Sequence, residues 1–169
     1  MNKYGWVDIG SSFLPSDVIA AYLYAQLENL DDIQRRRIQI WNQYYKGLRP
    51  LEARGFITLP AIPHYAFNNA HMFYILCKDL SQRTALIRHL KERKILAVFH
   101  YLSLHKSDYY HRKHDGRDLP NSDRFTDCLL RLPLFYEITD EEVSYIIDQV
   151  KSFPEFQTVR ELEMVGVGK

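Results

Sequence analysis

Apolar positions recur at two spacings along this 169-residue chain, and the switch between them lays out its elements. Val18, Tyr22, Leu23 and Leu27 mark one face of a helix. Ser16 is placed to cap it after Pro15, and Asp17 sets negative charge on its first turn. A second helix is expected from Asp31 or Asp32 to about Leu51, with Ile33, Ile40, Trp41, Tyr44 and Leu48 as its apolar positions. On it, Arg35, Arg36 and Arg37 read as a solvated or interfacial patch. Pro50 cannot donate to a helical ladder, and Gly55 completes the break. Residues 57–59 then suit a short strand, 60–69 a polar loop and 70–77 a strand rich in aromatic and aliphatic side chains. Ser81 offers a cap for a helix over 82–94, with Leu86, Ile87 and Leu90 facing inward, and 95–101 is the next strand. The polar stretch 103–124 carries the breakers Gly116 and Pro120. A short helix at 123–130, an extended apolar piece at 132–136 and a helix at 141–151 follow. Thr139 and Glu142 have the spacing of a capping box at the start of that last helix.

The pattern is α+β: a small sheet flanked by helices, preceded by a long linking helix pair. It divides the chain into a linking segment over 1–52, a small domain over 53–156 and a flexible tail over 157–169.

Composition narrows the function classes without naming one. A chain of this length buries about 70% of its unfolded surface. The net charge of +1 gives no general attraction to nucleic acid or anionic lipid. No apolar run approaches the roughly 20 residues that span a bilayer, and the start of the chain lacks a signal-peptide core, so a cytoplasmic location is expected. Cys77 and Cys128 sit in apolar settings and read as buried free thiols rather than a disulfide. Twelve tyrosines and nine phenylalanines suit interfaces as well as a core.

Three groups of residues carry candidate chemistry. Gly10 permits unusual backbone angles, and Ser11 and Ser12 add hydroxyls beside exposed N–H groups, so this turn either holds an anion such as phosphate or simply leads into a helix. His100, Tyr101 and His105, with Tyr109 and Tyr110 downstream, lie where a strand passes into a polar loop, a place that commonly presents binding groups. The same region holds His100, His105, His111 and His114 within fifteen residues, but no spaced cysteine or acid completes a zinc signature, and no metal is assigned. His71, inside an expected strand, reads as a packed and hydrogen-bonded histidine. The sequence has no G-x-S-x-G elbow, no P-loop and no G-x-G-x-x-G turn, and no catalytic residue is assigned.

Four blocks add a family resemblance: KYGWVDIGSSFLPSD from Lys3, NAHMFYI from Asn69, AVFHY from Ala97 and LLRLPLFY from Leu129. In this order they resemble the C-terminal portion of the DegT/DnrJ/EryC1/StrS sugar aminotransferases, from about Lys3 to Phe153. The resemblance implies the small C-terminal domain of a fold-type I enzyme dependent on pyridoxal 5'-phosphate (PLP). It implies that Ser11 and Ser12 help hold the cofactor phosphate across a homodimer, although many members carry asparagine at about the position of Ser12. It places Tyr101 and His105 near a nucleotide-sugar substrate. Family members carry their Schiff-base lysine in an N-terminal cofactor domain that this sequence does not include. This chain alone is therefore expected to bind no cofactor and to catalyse nothing. A domain separated from such a partner exposes the patch that faced it, here expected at Tyr22, Leu23, Trp41, Tyr44 and Tyr45. The alternative is a free-standing binding or assembly module with the same fold, in which that patch would be polar.

Overall fold

The longest amphipathic stretch of the sequence becomes the spine of the molecule in the computed structural model, which describes residues 14–157. Helix α1 spans Asp17–Leu27 and α2 spans Leu30–Ala53. Strand β1 (Phe73–Leu76), helix α3 (Leu80–Glu92), a 3₁₀ turn (Leu104–Lys106), helix α4 (Pro120–Cys128), strand β2 (Leu129–Leu132), helix α5 (Asp140–Lys151) and helix α6 (Pro154–Gln157) follow. The expected tail beyond residue 157 lies outside the described residues.

Helix α2 buries Ile40, Trp41, Tyr44, Leu48 and Leu51, a stripe at spacings of one, three and four. The Trp41 ring stacks on Tyr45 at 5.1 Å and meets Phe73 edge-on at 5.4 Å, which ties the helix to the sheet. Tyr44 is fully buried, yet its hydroxyl is satisfied, donating to the Pro133 carbonyl at 2.8 Å. The helix runs through Pro50 to Ala53, one turn further than Pro50 suggested. Buried Leu51 holds that last turn against the core, and the missing proline N–H costs one bond near the helix end. Gly55 then takes φ +73°, its N–H donates to Glu52 and the Phe56 N–H donates to Leu51, the Schellman ending that glycine permits.

The arginine patch proved to be a brace. Only Arg35 lies on the surface, paired with Asp32 at 2.8 Å. Arg36 reaches the Asp140 carboxylate at 2.7 Å and the Ile138 carbonyl, and Arg37 donates to the Ala70 and His71 carbonyls. Two of the three guanidinium groups thus fasten α2 to the start of α5 and to the entry of β1.

The sheet pairs β1 and β2 antiparallel, with Phe73 opposite Leu132, Tyr74 opposite Arg131 and Ile75 opposite Leu130. Single bridges extend it on both sides, Thr58 to Leu76 and Val98 to Arg131. The strands expected at 57–59 and 95–101 are therefore present only as these edge contacts, and the one expected at 70–77 narrows to β1. Phe73, Ile75, Leu130 and Leu132 face the core, while Tyr74 and Arg131 face outward. The helix expected at 123–130 starts earlier, with Pro120 in its first turn, and ends at Cys128. Leu129 and Leu130 are needed in the ladder, so the extended piece begins before residue 132.

Asp79, not Ser81, caps α3, accepting from the Gln82 N–H at 2.9 Å. The α5 capping box forms as expected, with Thr139 and Glu142 each receiving the other's backbone N–H. Helix α5 packs closely on α2 at Gly47, where an added Cβ would lie 2.7 Å from Cδ1 of Ile147. His71 is exposed just ahead of β1, so the packed histidine is instead His89, whose ring nitrogen meets the Gln149 carbonyl at 2.9 Å. Cys77, just after β1, and Cys128, at the end of α4, are buried free thiols, and burial pushes Cys77 up to about 12.

Helix α1 is the exception to this packing. Ser16 caps it as expected, but it buries nothing: Val18 is 77% exposed and Tyr22 70%. Of the residues expected to form an exposed patch, Trp41 and Tyr44 are instead core and Tyr45 is half-buried. The patch lies on α1, where Val18, Ile19, Tyr24 and Leu27 join Tyr22 and Leu23, and Leu14 just ahead of the helix is exposed with them.

Candidate functional site

Residues 95–101 run beside β2 as far as the Val98–Arg131 bridge and then leave the sheet. The polar segment that follows is held in place by α4. Ser103 shares a hydrogen bond with Thr126 at 2.5 Å and receives one from Ser122 at 3.2 Å. From beneath, Arg83 of α3 donates to the Thr126 carbonyl at 2.7 Å and stacks over Phe99. Desolvation lowers the Arg83 pKa. Hydroxyls and one buried guanidinium thus fix a segment that has no ladder of its own.

His105 lies in the 3₁₀ turn with its side chain only 10% exposed. Its Nε2 is 3.2 Å from Oδ1 of Asp123, which also receives Lys106 Nζ at 2.8 Å. The Lys106 ammonium holds the Asp123 carboxyl below the usual carboxylate range, with His105 adding to the effect. Nε2 of His105 and Oδ1 of Asp123 are buried and make no directed hydrogen bond to each other, so this contact is one of proximity. The His114 ring lies 5.4 Å from that of His105, and its Nε2 is likewise buried without a hydrogen-bond partner. Beside this group is a polar cavity of about 210 Å³ lined by Ser103, Lys106, Ser107, Asp108, Asp123 and Thr126. Such a lining offers hydroxyls, carboxylates and an ammonium, the donors and acceptors that a hydroxylated ligand requires.

The two residues assigned to substrate from the sequence differ in exposure. His105 belongs to the polar cluster, whereas Tyr101 is exposed and follows His100 across a cis peptide bond. His100 turns to the sheet, where Arg131 Nη1 lies 2.7 Å from its Nδ1 and 3.5 Å from its Nε2. Ser11 and Ser12, assigned to the cofactor phosphate, lie outside the described residues. The four histidines do not converge: His111 turns back on the Ser107 carbonyl at 3.0 Å, and no three metal-ligating side chains meet among the described residues. Asp123 and Arg131 were missed from the sequence, and His114 was weighed there only as a metal ligand. Only Arg131 carried a signal, as the one charged residue in an apolar strand.

A larger, mainly apolar groove of about 610 Å³ lies at the Pro133 end of β2, lined by Leu96, Phe135, Ile138, Tyr145 and Ile146 among others. No helix among the described residues is long and apolar enough to cross a membrane.

Solved structures give this fold a class. The aminotransferase TlmJ from Streptoalloteichus hindustanus matches with a TM-score of 0.73 and 26% identity, over 84% of this chain and 37% of its own. DesV from S. venezuelae matches with a TM-score of 0.73 and 27% identity, over 83% of this chain and 36% of its own. Spr1654 from Streptococcus pneumoniae, described as a sugar aminotransferase and solved in its PLP-form, matches with a TM-score of 0.69 and 26% identity. That match covers 82% of this chain and 36% of its own. The fold is that of the small α+β domain of PLP aminotransferases. The profile of the DegT/DnrJ/EryC1/StrS aminotransferase family matches residues 1–151, and the chain belongs to that family. It spans little more than a third of the length of these solved relatives.

The described residues do not by themselves fit the cofactor. PLP requires a lysine in a desolvated pocket with a partner for the ring nitrogen. No lysine among the described residues is buried, and none lines a closed apolar pocket.

Proposed function

We propose that this chain is the C-terminal part of a PLP-dependent nucleotide-sugar aminotransferase of the dTDP-4-amino-4,6-dideoxygalactose transaminase type. The whole enzyme moves an amino group from glutamate onto a dTDP-4-keto-6-deoxyhexose in the cytoplasm. This part packs on an N-terminal cofactor domain, contributes to a homodimer and helps to close the site, with Ser11 and Ser12 toward the cofactor phosphate and Tyr101 and His105 toward the sugar. By itself it binds no cofactor and does not turn over.

The observation that carries this reading is α1, an apolar helix exposed along its whole length in a chain of this family. Surface of that kind in a water-soluble domain marks a missing partner. The span of the chain against its solved relatives supports the same view. The decisive assay supplies the chain with PLP, L-glutamate and the dTDP-4-keto sugar, first alone and then with a cofactor domain of the same family. No turnover alone and turnover on mixing are expected; turnover by the chain alone would overturn its assigned inactivity.

One observation favours a second reading, a free-standing binding or assembly module. The core from Ile40 to Phe156 is continuous and needs no partner to be complete. Analytical ultracentrifugation separates the two: self-association through α1 fits the enzyme part, and a monodisperse monomer fits the module.

A further inference from the structure

Two apolar surfaces of this chain are left open, and their shapes are opposite. One is α1, a convex rod roughly 16 Å long. Its Ile19, Leu23 and Leu27 fall four residues apart on one line, each more than half exposed. The other is the concave groove of about 610 Å³ between the end of α3, the end of β2 and the start of α5. Buried Ile95, Ile138 and Ile146 line it, together with the exposed faces of Leu96, Phe135 and Tyr145. A helix that lays anchors of this spacing into an apolar groove is a recurring mode of recognition.

Charge matches the two surfaces. Asp17 is the sole charged residue of α1, and the residue that ends the helix, Glu28, is acidic as well. At the groove, Arg93 and Lys94 stand side by side where α3 ends, and among the described residues Lys94 pairs with no acid. The one acid of the lining, Glu142, is already engaged in the α5 capping box. The link to α2 holds α1 away from its own chain. The Glu28 N–H donates to the Tyr24 carbonyl and the Asn29 N–H to that of Gln26, while the Asn29 carbonyl accepts from Ile33. The Asn29 side chain adds a bond to the Ala25 carbonyl at 3.1 Å. A link of two residues, bonded on both sides, sets the direction of the helix, and α1 buries nothing on its own chain. A second copy meets no such restraint.

We propose that α1 of one copy seats in the Leu96–Phe135–Tyr145 groove of a second copy, and that the exchange is reciprocal and closes a two-fold dimer. Apolar contact supplies the affinity, and the Arg93–Lys94 edge sets the direction of approach, since exposed ion pairs contribute little. The proposal deepens the reading of α1 as a helix separated from a cofactor domain. The groove holds α1 until that domain takes it, so the two compete for the same helix.

Sedimentation equilibrium of the full chain over a range of concentrations gives the dimer dissociation constant. Leu96→Glu in the groove and Leu23→Glu on the helix are each expected to weaken the dimer at least about tenfold, and Lys94→Glu several-fold. Leu96 and Leu23 are exposed, so the denaturation midpoint should not move. If either variant fails to fold, Leu96→Gln and Leu23→Gln repeat the pair without the charge. The deciding sample is an equal mixture of the Leu96→Glu and Leu23→Glu chains. It holds an intact helix on one molecule and an intact groove on the other, and is expected to dimerise more tightly than either variant alone. A monomer at every concentration overturns the proposal. So does a Leu96→Glu chain that associates as the unaltered one does, which would set α1 against α1, or a mixture no tighter than its parts. The turnover assay with a cofactor domain judges the aminotransferase reading separately. Turnover without this dimer removes only the groove, and this dimer without turnover removes only that reading.

Discussion

Helices α1 and α2 are neighbours in the chain and both are rich in large apolar side chains, yet one is all surface and the other is the centre of the molecule. On α2 the apolar residues repeat along one stripe, and that stripe meets Phe73 of the sheet and Ile147 of α5. On α1 they are spread around the helix, and every one of them is exposed. An amphipathic helix is complete once its stripe is covered, whereas a helix apolar on all sides needs neighbours on all sides. The two helices thus divide the apolar surface that is covered among the described residues from the apolar surface that is left open.

Truncation is the strongest way to break that comparison. Leu48→Ala on α2 removes a fully buried side chain and is expected to cost about 2–5 kcal/mol in chemical denaturation. Leu23→Ala on α1 should change stability by less than about 0.5 kcal/mol while weakening self-association. Equal costs at the two positions would mean that α1 is packed in solution. Next in size is Gly47→Ala, which forces a methyl group into contact with Ile147 and is expected to cost about 1–3 kcal/mol, read from the same denaturation curves. A neutral result would show that α5 can slide on α2.

A smaller effect is expected at the end of α2. Gly55→Ala meets no atom within 4 Å, so its cost of about 1 kcal/mol comes only from the left-handed backbone angle. Smallest is the pH dependence of the brace. The hydrogen bond from Arg36, assisted by Gln43, holds the Asp140 carboxyl below its ordinary value. A carboxyl lowered by folding contributes stability above its unfolded pKa of about 3.9, and the contribution fades as pH falls through the folded value. Asp140→Asn should therefore flatten the acid side of the stability–pH curve and leave neutral and alkaline pH unchanged in shape.

Much of the fold was legible because it follows from local rules. The Ser16 cap, the Thr139–Glu142 capping box, the glycine ending at Gly55 and the α2 stripe are set by residues within a turn or two of one another. The candidate site was less legible. His105 was found from its place after a strand, but Asp123 and His114, which meet it, lie in separate segments whose approach is fixed by Ser103, Thr126 and Arg83. Ser11 and Ser12 lie outside the described residues, and their role stays a proposal.

By itself the sequence determined the helices, the α+β order and, through its four blocks, the family. It also determined that Cys77 and Cys128 are buried thiols, because apolar neighbours in sequence were enough to place them inside. Only the tertiary structure decided that Arg36 and Arg37 are internal braces, that β2 begins at Leu129, that Trp41 and Tyr44 are core rather than interface, and that Arg131 faces His100. The reason is physical. Caps and periodicities act between residues close in sequence, whereas the partner of a guanidinium or an aromatic ring is chosen by the register of elements as far as 104 residues apart.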